Sequence, residues 1–257
     1  MTTIHILIAI DSIHQWHISQ LDIKNTLLNG DLQEEVYMVS PLGVSYNPRE
    51  VCRLNKTLHD LKQAPCAWFA KFFDALTSFG FHPSHHDLVL FLQCTTTGHI
   101  LLILFVDDMI IIGKNVDGII VLKSDLASHF EMKDLGSLWC FLGIKITSCS
   151  KGYLLSQSKY TVDILDRAYL IDTKTINTPL NINVWLSFFD GNPLPNLTLY
   201  HTIIGSLVYL TITRLNIAYV VYINWFIVYV TAVHCVVVLH ILWYLRETIF
   251  QSLLFPL

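Results

Sequence analysis

Charge is what this chain has least of: 14% of its residues are Asp, Glu, Lys or Arg, against roughly 25% in an average soluble domain. Such scarcity excludes an intrinsically disordered chain, which combines high charge with few apolar residues. With 53% hydrophobic residues, the chain must bury a large core or meet a membrane. Nor is there a surplus of positive charge. The 16 Lys and Arg do not outnumber the 20 Asp and Glu, so no global field recruits a polyanion. None of the six cysteines forms a CxxC pair, and free thiols in a reducing compartment fit them better than disulfides or a zinc site. The groups His14/His17 and His82/His85/His86 lack a complete ligand set. No basic stretch precedes the short apolar run at the N-terminus, so no signal peptide is expected. Internal repeats are absent as well. The 257 residues allow one large domain or two modest ones.

The apolar residues that are present fall into recognisable periods. Residues 3–14 mix helix and strand signals and are read as a helix. Residues 18–23 alternate partly with period two, a short strand ending at Asp22-Ile23. Asn29-Gly30-Asp31 is a turn signal, and the chain is irregular around Leu42-Gly43 and Asn47-Pro48. Over 64–79 a helix is predicted: Pro65 suits its first turn, Trp68, Phe69, Phe72, Phe73 and Leu76 recur at helical spacing, and Gly80 suits its end. The runs HILLILFV (99–106) and MIIIG (109–113) read as a hairpin closed by Asp107-Asp108, with 88–93 as an upstream partner. Further expectations are a helix over 116–130, a hairpin from 138–147 and 153–156, and an amphipathic helix over 158–170. Beyond Lys174 charge nearly vanishes, and a soft boundary falls near Pro179; residues 215–245 are 31 positions without Lys, Arg, Asp or Glu.

Asp107-Asp108 is the most informative local feature. Adjacent carboxylates between two apolar strands repel each other and resist desolvation, and Asn-Gly would serve better if only a tight turn were needed. A divalent cation removes the conflict, since Mg²⁺ takes hard oxygen ligands. On the local pattern alone, a solvated turn that happens to carry two acids explains the pair somewhat better. Asp22 likewise ends a strand before a glycine-containing turn, which fits an ordinary strand-end acid. Taken together, the two sites suggest a sheet whose strand ends gather three acids around metal, an arrangement suited to two-metal phosphoryl transfer.

At this point the residues carry a resemblance. Gln20-Leu21-Asp22-Ile23-Lys24-Asn25 with Asn29-Gly30-Asp31, Leu61-Lys62-Gln63-Ala64-Pro65 with Ala67-Trp68, and Phe105-Val106-Asp107-Asp108-Met109 resemble the successive polymerase blocks of copia-type reverse transcriptases. Lys133-Asp134-Leu135-Gly136, Phe141-Leu142-Gly143-Ile144, Thr178-Pro179-Leu180 and Gly205-Ser206-Leu207 follow in the family's order, across nearly the whole chain. The resemblance implies an α+β right-hand polymerase. Residues 1–157 would form a partial fingers and palm region, an antiparallel sheet with packed helices, and 158–257 a mostly helical thumb or connection region. It further implies Asp22, Asp107 and Asp108 as catalytic residues holding two Mg²⁺ ions, with Mn²⁺ as a substitute. Gln63 and the position of Leu27 would face the incoming nucleotide, and Phe141, Leu142 and Gly143 would lie in the primer grip. Without the resemblance, Gln63 is a solvated loop residue, and Phe141 and Leu142 are strand core. Template-primer of RNA or DNA and deoxynucleotides are the implied partners, with no stable protein partner. The implied location is cytoplasmic, since the family replicates in intracellular particles.

Departures from the family pattern are specific. Leu27 replaces the aromatic residue whose ring blocks a ribose 2′-hydroxyl. His59-Asp60 stands for Tyr-Gly, Cys66 for Arg, and Leu215-Asn216 for Pro-Asp. The chain begins just upstream of Asp22, so the basic fingers segment that would hold the triphosphate is expected to be missing, at about 1.5–3 kcal/mol per charge-assisted contact. Protease, integrase and RNase H regions are not recognised either. The reading is a truncated, impaired reverse transcriptase. Two alternatives compete with it: a catalytically dead remnant, and a membrane-anchored protein using 215–245, which exceeds the roughly 20 residues of a span but is interrupted by Asn216, Asn224, His234 and His240.

Overall fold

The computed structural model describes residues 2–41, 43, 47, 50–170, 174–180, 192–194, 196–225 and 230–257. By contact the chain forms two compact units, His14–Leu138 and Met1–Ile13 with Trp139–Leu257. Both are α+β with antiparallel sheets. The 157/158 junction expected from the resemblance falls inside the second unit. Of the irregular stretch foreseen near residue 45, Leu42 and Pro48 lie outside the described residues.

The helix α1 (Thr2–His14) opens the chain, and most of it belongs to the second unit. In the first unit, β1 (His17–Ile23) is followed by a short 3-10 turn (Thr26–Asn29) and the paired strands β2 (Asp31–Met38) and β3 (Cys52–Lys56). Then come α2 (Ala64–Ser78), β4 (His82–Pro83), β5 (Leu90–Thr95), β6 (Gly98–Phe105), β7 (Asp108–Gly113), α3 (Val116–His129) and β8 (Met132–Gly136). One six-stranded sheet runs in the order β4-β5-β6-β7-β1-β8. Strand side chains alternate between faces. Leu21 and Ile23, Leu102 and Leu104, and Met109 and Ile111 therefore share one face and pack against both helices. On α2 the buried stripe is Trp68, Phe72 and Leu76, one residue every four, and on α3 it is Ile119, Leu122 and Leu126. The helices expected over 64–79 and 116–130 thus form as Ala64–Ser78 and Val116–His129.

In the second unit, β9 (Cys140–Phe141), β10 (Ile144–Cys149), β11 (Gly152–Ser156) and β12 (Leu253–Pro256) form a sheet in the order β12-β11-β10-β9. The helices α4 (Ser158–Arg167), α5 (Thr198–Leu210), α6 (Leu215–Trp225) and α7 (Ala232–Glu247) share a core around Ile204, Leu207, Val221 and Ile241. Arg214 is buried at the head of α6, where its guanidinium donates to the Thr248 carbonyl at 2.7 Å. The uncharged stretch 215–245 falls on α6 and α7; its residues 226–229, with Tyr229 as an interface aromatic, lie outside the described residues. Among the described residues, no helix is long and apolar enough to cross a membrane.

Three local expectations are corrected. The hairpin between β6 and β7 closes through Val106-Asp107, with Phe105 paired to Asp108, so Asp108 is the first residue of β7 and not part of the turn. Residues 138–147 are not one strand, because Leu142 (φ 48°) and Gly143 (φ 73°) form a two-residue turn between β9 and β10; positive φ at both central positions matches the twist of a hairpin. The amphipathic helix stops at Arg167, two residues before Tyr169 takes a left-handed φ of 49°.

Gly152 shows how tightly β12 is held. Its φ is +129°, and a Cβ there would lie 1.9 Å from the Phe255 carbonyl oxygen. Gly152→Ala is therefore expected to cost at least about 1–3 kcal/mol of backbone strain and to detach β12. Faster hydrogen exchange at the β11–β12 amides, together with a lower melting temperature, would register both effects.

Candidate active site

The two acid-bearing segments meet on neighbouring strands. β1 pairs antiparallel with β7, and the register sets Asp22 opposite Asp108, Leu21 opposite Met109 and Gln20 opposite Ile110. Since Leu21, Ile23 and Met109 face the helices, Asp22 and Asp108 share the opposite face. Directly opposed residues in an antiparallel pair have Cβ atoms about 4.5–5.5 Å apart. The backbone N–H of Ile23 donates to the Asp107 carbonyl at 2.8 Å, which ties the tip of the hairpin to the end of β1. On its other side Asp22 faces Lys133 of β8 in register, so a row Asp108–Asp22–Lys133 crosses three strands.

Asp107 stands apart. It sits at the exposed tip of the turn beside Val106, whose φ of 51° is strained for a β-branched residue. Among the described residues, no three His, Cys, Asp or Glu side chains form a group able to hold a metal ion. The structure thus brings Asp22 and Asp108 together and does not gather Asp107 into a ready-made cluster with them. The donor chemistry of the pair still suits a divalent cation: two carboxylates on adjacent strands, with no Arg or Lys hydrogen-bonded to either among the described residues, offer hard oxygen ligands. Burial pushes the Asp108 carboxyl above its usual value; the Gln20 hydrogen bond opposes that shift, and the charges of Asp22 and Asp107 add to it.

Leu27 and Gln63 line adjoining pockets. The 3-10 turn carrying Leu27 follows Asn25, whose φ is 51°. Buried Thr57 holds this turn by donating its hydroxyl to the Leu27 carbonyl and its N–H to the Gly30 carbonyl at 3.0 Å. Leu27 lies in an apolar cavity of about 480 Å³ with Phe69, Cys66, Phe105 and Val106, so the wall opposite α2 is the Asp107 hairpin itself. Gln63 caps α2 and lines a second cavity of about 280 Å³ with Asp31, Glu34, Lys71 and Asp74; Cys66 and Ala70 border both.

Phe141, Leu142 and Gly143 belong to the second unit. Phe141 is buried core, whereas Leu142 and Gly143 are the β9–β10 turn, with the Leu142 carbonyl accepting the Tyr209 hydroxyl. One residue escaped sequence reasoning. Gln20 is buried and donates to Asp108; its place two residues before Asp22 on the same strand face was the available signal.

Comparison with known proteins shows the family. The reverse transcriptase (RNA-dependent DNA polymerase) family matches residues 1–182. The chain is 36% identical over 222 residues, 86% of its length, to the retrovirus-related Pol polyprotein from transposon RE1 of Arabidopsis thaliana. It is 39% identical over 192 residues, 73% of its length, to the corresponding polyprotein from transposon TNT 1-94 of Nicotiana tabacum. With the putative transposon Ty5-1 protein of Saccharomyces cerevisiae, identity is 29% over 205 residues, covering 77% of this chain and 66% of that protein. The aligned region makes up only 15% and 14% of the RE1 and TNT 1-94 polyproteins. No solved structure matches the chain. The chain belongs to the reverse transcriptase family, and within it to the copia type found in retrotransposon Pol polyproteins.

Proposed function

We propose that this chain is the polymerase region of a copia-like reverse transcriptase, adding deoxynucleotides to a primer 3′-hydroxyl on an RNA or DNA template. The observation that carries the reading is the register of β1 against β7, which opposes Asp22 to Asp108. In this reading the six-stranded sheet is the palm and the helices after residue 158 belong to the thumb or connection. Asp22 and Asp108, joined by Asp107 from the turn, would hold two Mg²⁺ or Mn²⁺ ions. Such ions supply activation of the attacking hydroxyl and charge neutralisation at the leaving pyrophosphate. The protein's own part is to place Asp22 and Asp108 on two strands fixed by a common ladder, so that no loop motion is needed to align those two. Gln63, at the start of α2, contacts the incoming nucleotide, and the Phe141-Leu142-Gly143 turn holds the primer end.

Leu27 is the proposed sugar-facing residue. Its cavity borders the Asp107 hairpin and is lined by aliphatic and aromatic side chains, leaving room beside Leu27 where a ring would exclude a 2′-hydroxyl. Leu27→Phe is expected to raise discrimination for deoxy- over ribonucleotides on the order of 10- to 100-fold, measured as the ratio of single-nucleotide insertion efficiencies. The test of the function itself is primer extension with Mg²⁺ or Mn²⁺, comparing this chain with one carrying an added upstream fingers segment. Extension that disappears in Asp107→Asn and Asp108→Asn supports polymerisation. Extension surviving in both would falsify it, and salt-sensitive nucleic-acid binding without extension would assign a binding remnant.

A further inference from the structure

Gln20 occupies a place where an amide is a poor choice for packing. It lies on β1 opposite Ile110, two residues from the Ile18–Ile112 pair, and is only 3% exposed. Its Nε2 stands 3.4 Å from Asp108 Oδ1, and this is its side-chain hydrogen bond among the described residues. Its Oε1 is fully buried with no hydrogen-bond partner there. A buried amide oxygen without a donor lowers stability, a cost that Met or Leu of similar volume avoids. The amide cannot relieve the cost by turning over, because its oxygen would then meet a carboxylate oxygen. Packing alone therefore does not account for glutamine at this position, whereas the contact with Asp108 does. Strand alternation strengthens the case: Gln20 and Asp22 are successive residues on one face of β1, and Asp108 lies across from that face.

We propose that Gln20 is a positioning residue for Asp108: its amide draws the Asp108 carboxylate toward β1, so that a divalent cation meets the Asp22 and Asp108 oxygens already in place. The inference rests on the metal-holding role of these two acids given above. It assigns Gln20 no contact with substrate or reacting atoms. Groups that orient ligating side chains typically change metal affinity by about 10–100-fold when removed, and that is the scale expected here.

The test is a Mn²⁺ titration of the full chain without nucleic acid, followed by paramagnetic resonance of the free ion, with thermal melting of the metal-free proteins alongside. Gln20→Met is expected to bind Mn²⁺ about tenfold more weakly while melting at the same temperature as the wild type or higher. Gln20→Asn keeps the amide but withdraws it by one methylene, and is expected to show the same weakening. Wild-type Mn²⁺ affinity in Gln20→Met, or weakening matched by a fall in melting temperature, overturns the inference. Should Gln20→Met fail to fold, wild-type affinity in Gln20→Asn does the same. Asp108→Asn separates the two levels. If it weakens binding and Gln20→Met does not, only the role of Gln20 fails; if it binds Mn²⁺ like the wild type, the metal-holding role of the acids fails as well.

Discussion

Asp108→Asn is expected to lower single-nucleotide primer extension by at least about a thousandfold while leaving the metal-free protein as stable as before, or more so. The first effect follows from charge. An acid that holds a catalytic cation supports several kcal/mol of transition-state stabilisation, and about 4 kcal/mol corresponds to a thousandfold in rate. The second follows from the environment of Asp108, where burial raises the carboxyl above its ordinary 3.8 and the neighbouring acids add to the shift. The sign is that of a destabilising acid. As pH rises past the ordinary carboxylate value, the unfolded chain loses its proton first, and stability falls until the folded group has ionised too. Asparagine has no such cost, so the acid-range pH dependence of melting should flatten in the variant when metal is absent. Activity and stability thus move in opposite directions at one position, as expected where a site is built for chemistry rather than for packing. A variant that loses both together would mark Asp108 as a structural residue.

Phe72→Ala is expected to cost about 3–5 kcal/mol, a large share of the roughly 5–15 kcal/mol that holds a domain folded. Phe72 has no exposed surface. Its ring centroid lies 5.3 Å from Trp68, 5.6 Å from Phe130 and 6.5 Å from Phe91, the last edge-on. Those neighbours come from α2, from the end of α3 and from β5, so the cavity left by alanine opens at the junction of both helices with the sheet. Such a site collapses poorly, because strand and helix backbones would have to move together. Denaturant unfolding should show a lower midpoint with little change in slope. The same cavity loosens α2, whose N-terminal cap is Gln63 and whose flank borders the Leu27 cavity. Nucleotide affinity should fall before global unfolding is reached.

How far the sequence discloses this architecture depends on whether local period or distant pairing decides each element. α2 and α3 are legible because their apolar stripes repeat at helical spacing, and β6 and β7 because nearly continuous runs of Ile and Leu leave little alternative. β8 is not: Met132-Lys133-Asp134-Leu135-Gly136 has no clean alternation, and an edge strand beside β1 needs little. β12 forms only by pairing with β11 across some hundred residues, and no local rule anticipates a ladder of that span. β2 and β3 are likewise not legible: in that part of the sequence only the Asn29-Gly30-Asp31 turn and the irregular chain around Leu42-Gly43 and Asn47-Pro48 stand out. The hairpin turn was misplaced by one residue for an instructive reason. Asp107-Asp108 has better turn chemistry than Val106-Asp107, and a valine at φ 51° runs against every preference of its side chain. That one-residue difference determines which acid faces Asp22, because a slip of one along a strand sends each side chain to the other face.

The candidate site shows the same division. Asp22, Asp107, Asp108 and Gln63 stand out in the sequence because their types and order resemble a family. Their arrangement was not available there: Asp22 opposes Asp108 while Asp107 occupies the tip, and Lys133 continues the row on a strand the sequence did not reveal. Gln20 was visible only as a letter in a motif. Its burial and its bond to Asp108 emerge from the register.

The most direct measurement is a Mn²⁺ affinity cycle on Asp22→Asn, Asp108→Asn and the double variant. If the two strands present their acids to one cation, each single substitution removes tight binding and the double variant is no worse than the weaker single. Tight binding that persists without Asp22, or losses that simply multiply, would show that the acids on β1 and β7 do not share an ion.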